Sequence, residues 1–166
     1  MYSRIIAIDP GYDRCGVALI DNTNGTGTLV HSACITTDKK GSLAQRLTTI
    51  YDCLKDIITE WHPEALALET LFFSVNKKTA IAVAEARGVV LLVAGHNLLP
   101  IVELSPQEVK MAMTGVGNAT KDQVQRMVAL TLKINLSEKL DDEIDAIAVG
   151  FAALGKLKVD QFGKRQ

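Results

Sequence analysis

Ile5-Ile6-Ala7-Ile8-Asp9-Pro10-Gly11-Tyr12-Asp13-Arg14-Cys15-Gly16-Val17-Ala18-Leu19-Ile20 is the stretch that decides how the chain folds. It reads as two apolar strands joined by a short polar loop. Ile5 to Ile8 is a continuous apolar run, as expected for a strand covered on both faces. Asp9 ends the run, and Pro10-Gly11 turns the chain. A carboxylate therefore sits at the mouth of a buried strand, a costly place for a charge unless a cation meets it. Asp beside Pro-Gly is also a common turn cap, so this stretch alone leaves two readings open.

Working outward, the first strand spans roughly Arg4–Asp9 and the second roughly Cys15–Asp21. Asn22 to Gly27 is a turn tip rich in residues that tolerate positive φ, and a third strand follows over roughly Thr28–Thr37. The connections are too short for crossovers, so these three form an antiparallel meander. Ser42 can cap a helix on which Leu43, Leu47, Ile50, Leu54, Ile57 and Trp61 recur at steps of four and three. Glu64 to Glu69 is a short apolar strand that again ends in a carboxylate. Leu71-Phe72-Phe73-Ser74-Val75 reads as a loop, and Asn76 to about Asn97 as a long helix of small apolar residues. A fifth strand covers Pro100–Leu104. Ser105-Pro106-Gln107-Glu108 and Thr120 with Gln123 are capping boxes that open two further helices. Gly115 and Gly117 lie between these helices and lend mobility to their link. A last helix begins at Asp141 or Asp142 and runs to about Leu157. The resulting fold class is α/β: a five-stranded mixed sheet, three strands antiparallel and two parallel, with helices on both faces.

The chain has 166 residues, 48% of them apolar, which fits one domain over residues 1–157 with a basic C-terminal tail at 158–166. Lys and Arg number 18 against 19 Asp and Glu, for a net charge of −1. A polyanionic partner would therefore need basic rims around an acidic pocket. Cys15, Cys34 and Cys53 have no metal-ligand spacing and read as reduced core thiols. His31, His62 and His96 likewise read as structural. The N-terminus lacks a signal-peptide core, and the longest apolar candidate, Ala80–Leu99, is broken by Glu85, Arg87, Gly88 and His96. The cytoplasm is the expected location.

If the fourth strand lies parallel to the first, Asp9 and Glu69 emerge at the same sheet end, where ligands of open α/β sheets gather. Four of the five residues 141 to 145 are acidic. The helix dipole favours acids in a first turn, which accounts for Asp141 to Glu143. It accounts less well for Asp145, which precedes Ala146-Ile147-Ala148-Val149. Asp145 shares a helix face with Asp142 or Asp141. Four facing carboxylates repel one another unless hard divalent cations such as Mg²⁺ or Mn²⁺ join them. Two such ions about 4 Å apart suit phosphodiester hydrolysis.

Ile-Asp-Pro-Gly at 8–11, Ala-Leu-Glu-Thr-Leu-Phe-Phe at 67–73, Ala-Glu-Ala-Arg-Gly at 84–88 and Asp-x-x-Asp-Ala-x-Ala at 142–148 together resemble the RuvC family, the bacterial Holliday-junction resolvases. The match runs in order over roughly residues 4–152. It implies a ribonuclease-H-like fold, with Asp9, Glu69, Asp142 and Asp145 as catalytic metal ligands for two Mg²⁺ ions per site, Mn²⁺ substituting. It also selects Asp142 over Asp141, which then becomes a cap. The family usually has small residues between the two aspartates, where this chain has Glu143 and Ile144. Glu143 projects about 100° from Asp142 on a helical wheel, which points it to solvent.

For DNA binding, Phe72 and Phe73 could stack on or wedge between bases at an opened junction, and the resemblance selects Phe72. Lys110 and Lys121 sit early in their helices against the dipole, and the resemblance implies phosphate binding or transition-state stabilisation for both. Lys77, Lys78 and Arg87 could track the DNA backbone. Symmetric cleavage of a four-way junction implies a two-fold homodimer, with the 76–97 helix as part of its face and a branch-migration motor as a further possible partner. A YqgF-like nuclease acting on RNA shares the Asp-x-Gly start with an Arg and a Gly following, as in Arg14 and Gly16. The Phe-Phe loop and the Ala-Arg-Gly helix favour the junction resolvase. The presence of all four acids argues against a junction-binding protein whose catalysis has lapsed.

Overall fold

A computed structural model describes residues 2–24, 26–70 and 77–163. Ten elements follow in the expected sequence: β1 (Arg4–Asp9), β2 (Arg14–Thr23), β3 (Thr26–Thr36), α1 (Leu43–Trp61), β4 (Ala65–Glu69), α2 (Lys77–His96), β5 (Ile101–Leu104), α3 (Pro106–Thr114), α4 (Lys121–Leu132) and α5 (Asp141–Gly163). The sheet order is β3-β2-β1-β4-β5. β1 pairs antiparallel with β2 and parallel with β4, β3 continues the meander, and β5 lies parallel to β4. This is the mixed five-stranded sheet expected from the sequence.

Alternation along the buried strands assigns the two faces. Ile5, Ala7, Ala18 and Ile20 pack under α3, α4 and α5. Ile6, Ile8, Val17 and Leu19 pack under α1 and α2. Both faces of β1 are thus covered, which is why Ile5 to Ile8 is uninterruptedly apolar. Small residues let α5 lie close on the sheet: a Cβ on Gly150 would come within 2.7 Å of the Ile20 side chain and 3.1 Å of Ala7.

Both expected capping boxes form, Ser105 with Glu108 and Thr120 with Gln123, and the expected cap at Ser42 closes a third with Gln45. The buried face of α1 is Ile50, Leu54 and Ile58, with Ile57 only partly buried. The link after α3 is less loose than its glycines suggest. Gly115 caps α3 in the left-handed region at φ 75, Val116 N–H donates to Thr114 Oγ1, and Ala119 is buried. Finally, α5 continues past Leu157 to Gly163.

Candidate active site

The site is assembled by the central strands and one helix. Ile8 pairs with Leu68 in the parallel β1–β4 ladder, so Asp9 and Glu69 leave adjacent strands at one edge of the sheet. The first turn of α5 crosses the same edge. Asp9 pairs with Gly16 across β2, and a Cβ at Gly16 would lie 1.8 Å from the Asp142 carbonyl oxygen. Only a glycine there lets the start of α5 touch the strand and bring Asp142 and Asp145 over Asp9.

The electrostatics are those of a crowded acidic site. Burial, and then the charges of Asp145, Glu69 and Asp142, push the Asp9 carboxyl up to about 7, against the pull of Lys121. Burial and then Asp145 raise Glu69, with Lys110 and Lys121 opposing. Burial also raises Asp145, opposed by its hydrogen bond from Lys121. Burial lowers the Lys121 ammonium, but the hydrogen bond and charge of Asp145, with Asp141, more than offset it and leave it raised.

Each carboxylate of the helix pair holds one cation. Lys121 Nζ donates to Asp145 Oδ2 at 2.8 Å and lies 3.5 Å from Asp141. Arg14 Nε lies 2.8 Å from Asp142 Oδ2. That contact is not aligned as a hydrogen bond, and Asp142 Oδ2 is a buried oxygen with no hydrogen-bond partner. Glu69, Lys110, Lys121 and Asp145 line one cleft of about 180 Å³. A larger groove, about 840 Å³, runs between α3 and α5 past Met111 and Ala152 and includes none of the four acids. The cleft, not the groove, is where the chemistry-bearing groups meet.

Among the described residues, no three His, Cys, Asp or Glu side chains stand close enough as they are to share an ion. The donor set nonetheless fits one. It consists of four carboxylates, hard oxygen donors, one with an unpartnered buried atom and one that burial and its acidic neighbours raise to about 7.

The structure brings Asp9, Glu69, Asp142, Asp145, Lys110 and Lys121 together. It does not bring Arg87 there: its guanidinium is ion-paired to Glu103 of β5 and mostly buried. Phe72 and Phe73 lie outside the described residues, and Lys77 and Lys78 are described only as the first backbone positions of α2. Asp141 is the first residue of α5, and its side chain accepts from Gln125 on α4.

Glu143 corrects an expectation. It is 8% exposed rather than solvated. Its Oε1 accepts from Ser32 Oγ on β3 at 2.6 Å and from Lys139 Nζ at 2.6 Å, and Lys139 also donates to Ser32 at 2.8 Å. The wheel gives the angle between neighbouring side chains but not which side of the helix the sheet covers, and β3 covers this one.

Arg14 and the Ser32–Lys139–Glu143 network escaped the sequence reading. In the sequence Arg14 shows only as a cation two residues before a strand glycine, and nothing there names Asp142 as its partner. Its loop is held by Arg46 of α1, which donates to Tyr12 O at 3.1 Å and to Thr37 Oγ1 at 2.9 Å and pairs with Asp13.

Residues 5–153 match the family described as crossover junction endodeoxyribonuclease RuvC. The chain belongs to the RuvC family. It is 45% identical over 146 residues to the crossover junction endodeoxyribonuclease RuvC of Moorella thermoacetica, covering 87% of each chain. It is 43% identical over 147 residues to that of Roseiflexus sp., covering 89% of this chain and 88% of the relative. Its fold is similar to that of T. thermophilus RuvC solved in complex with a Holliday junction substrate, with a TM-score of 0.82 at 26% identity over 90% and 92% of the two chains. The sheet is thus that of a ribonuclease-H-like RuvC domain, and the YqgF-like alternative is not favoured.

Proposed function

We propose that this chain resolves four-way (Holliday) DNA junctions as a divalent-metal-dependent endonuclease. The observation that carries this reading is the meeting of Asp9, Glu69, Asp142 and Asp145 from β1, β4 and α5 beside Lys121, in a chain of this family. The four carboxylates would hold two Mg²⁺ ions, with Mn²⁺ able to substitute. Bound there, divalent cations supply charge neutralisation at the scissile phosphate and acidify a water for attack.

The residues of the chain do the rest. Asp9, on the central strand, is the fixed ligand, because its backbone is locked between β2 and β4. The Pro10-Gly11 turn folds tightly after it, where a Cβ on Gly11 would lie 2.2 Å from the Arg14 carbonyl oxygen. Lys110 and Lys121, on the rim of the same cleft, bind the phosphate and stabilise its developing charge. Phe72, three residues after Glu69 in the sequence, engages an unstacked base.

Symmetric cleavage calls for two such sites, and we assign the dimer face to α2. Ile81 is 69% exposed and Leu92 52% exposed, and a Cβ at Gly88 between them would meet nothing within 4 Å. These positions form one helical stripe. The enzyme works in the cytoplasm with the DNA it cuts, where a branch-migration motor can join it.

The test is a mobile four-way junction incubated with the protein and Mg²⁺. Wild type is expected to give paired nicks in opposing strands, and Asp145→Asn none while still binding. Junction binding without nicking by wild type, in both Mg²⁺ and Mn²⁺, would overturn the reading.

A further inference from the structure

We propose that Arg14 is a positioning residue that occupies Asp142 in the metal-free chain and competes with the divalent cation for it. The inference rests on the reading of Asp142 as a metal ligand and adds a residue to that site. Three observations carry it.

The first is the contact itself. Arg14 Nε stands 2.8 Å from Asp142 Oδ2, a buried oxygen with no hydrogen bond. The pair is held by charge without directional bonding, and such a contact yields to a stronger cation. The second is preorganisation. Arg14 follows a loop fixed on both sides. Arg46 ties Tyr12 and Asp13 to α1, and Thr37 N–H donates to Asp13 O at 3.1 Å. Arg14 itself pairs with Thr36 across the meander. The guanidinium is therefore delivered to Asp142 by a rigid edge of the sheet. The third is exposure. The Arg14 side chain is 45% exposed, against 22% for Asp142, so its guanidinium has a path toward water.

Two of the four acids thus carry a cation from outside α5, Arg14 on Asp142 and Lys121 on Asp145. Lys121 lines the cleft and Arg14 does not. Four carboxylates at one edge repel one another in the absence of metal, and Arg14 reduces that repulsion. A diffuse, weakly hydrated guanidinium suits a temporary partner better than a compact ammonium does. When a divalent cation takes Asp142, the same charge becomes a competitor, so removing it should tighten metal binding.

Mn²⁺ binding to the full-length protein without DNA, followed by calorimetry, tests this. Arg14→Gln is expected to bind Mn²⁺ about three- to tenfold more tightly than wild type. Lys40→Gln removes the same charge from an exposed position on the loop before α1 and is expected to stay within about twofold of wild type. Thermal melts supply a second readout. In EDTA, Arg14→Gln should melt below wild type, and saturating Mn²⁺ should close or reverse the gap. A purely structural Arg14 would leave the gap the same in both conditions. Unchanged Mn²⁺ affinity in Arg14→Gln, equal tightening in Lys40→Gln, or a melting gap indifferent to Mn²⁺ overturns the inference while leaving the metal centre standing. Wild type that binds no Mn²⁺, or binding untouched by Asp145→Asn, overturns the metal centre and the inference together.

Discussion

Asp9 carries the largest burden of the acidic site, because no cation among the described residues pairs with it directly. Its carboxyl is raised from 3.8 to about 7 by burial and by Asp145, Glu69 and Asp142. The consequence for stability has a definite sign. Below pH 4 the group is protonated in both folded and unfolded chains and costs nothing. Between about 4 and 7 the unfolded chain ionises while the folded one does not, so stability is lost as pH rises through that window. Asn mimics the protonated form. Metal-free Asp9→Asn should match wild type near pH 4 and exceed it by about 2–4 kcal/mol at pH 8. Urea unfolding across pH in EDTA measures this, and parallel curves for the two proteins would refute it. Asp9 and Glu69 were legible in the sequence because a charge that ends an uninterrupted apolar strand has few structural explanations. Glu143 and Arg14 were not. Their partners, Ser32 and Asp142, are far away in sequence and meet them only once β3 and β2 lie beside α5.

At the scale of elements, the site depends on how close α5 comes to β2. The small residues of α5 were readable as a sign of tight packing, and its acidic start as two carboxylates on one helix face. What the sequence did not disclose was the point of contact. Gly16 lies against the Asp142 backbone with no room for a methyl group, and a backbone carbonyl cannot move aside as a flexible side chain can. Gly16→Ala must therefore push the first turn of α5 off the sheet, carrying Asp142 and Asp145 away from Asp9 and Glu69. We expect a loss of about 2–3 kcal/mol and at least an approximately tenfold fall in junction cleavage, since ligand positions tolerate only small displacements. Gly155→Ala, farther along α5 and with nothing within 4 Å of the added methyl, should instead gain about 0.5–1 kcal/mol. Thermal melts and cleavage rates of both variants make the comparison. Equal behaviour would show that the α5 contact at Gly16 does not set the geometry of the site. The Ser32–Lys139–Glu143 network closes the same turn against β3, so the helix start is held from both sides of Asp142.

For the whole molecule, one active site cuts one strand, so paired cleavage depends on how two copies of the chain meet. The α2 stripe suits that purpose. Ile81 and Leu92 stand exposed on a helix whose opposite side, with Ala86, Val90, Val93 and Ala94, is buried against the sheet. Gly88 and Gly95 add no side chain between and beside them, and a Cβ on either would be free of neighbours, so another helix can approach closely. A charge at Leu92 would be buried unpaired in such an interface. Leu92→Glu should therefore sediment as a monomer at micromolar concentration, where wild type is expected to sediment as a dimer. With junction substrate it should give single nicks in place of coincident ones, at a per-site rate close to wild type under saturating protein. Leu98→Asn is the control. Leu98 is 90% exposed, lies just past the end of α2, and has a φ of 54, which Asn accepts more readily than Leu. Its loss should leave both the dimer and paired cleavage intact. A Leu92→Glu protein that remains dimeric would move the interface elsewhere. A monomer that still cuts both strands at once would break the link between two-fold assembly and symmetric resolution.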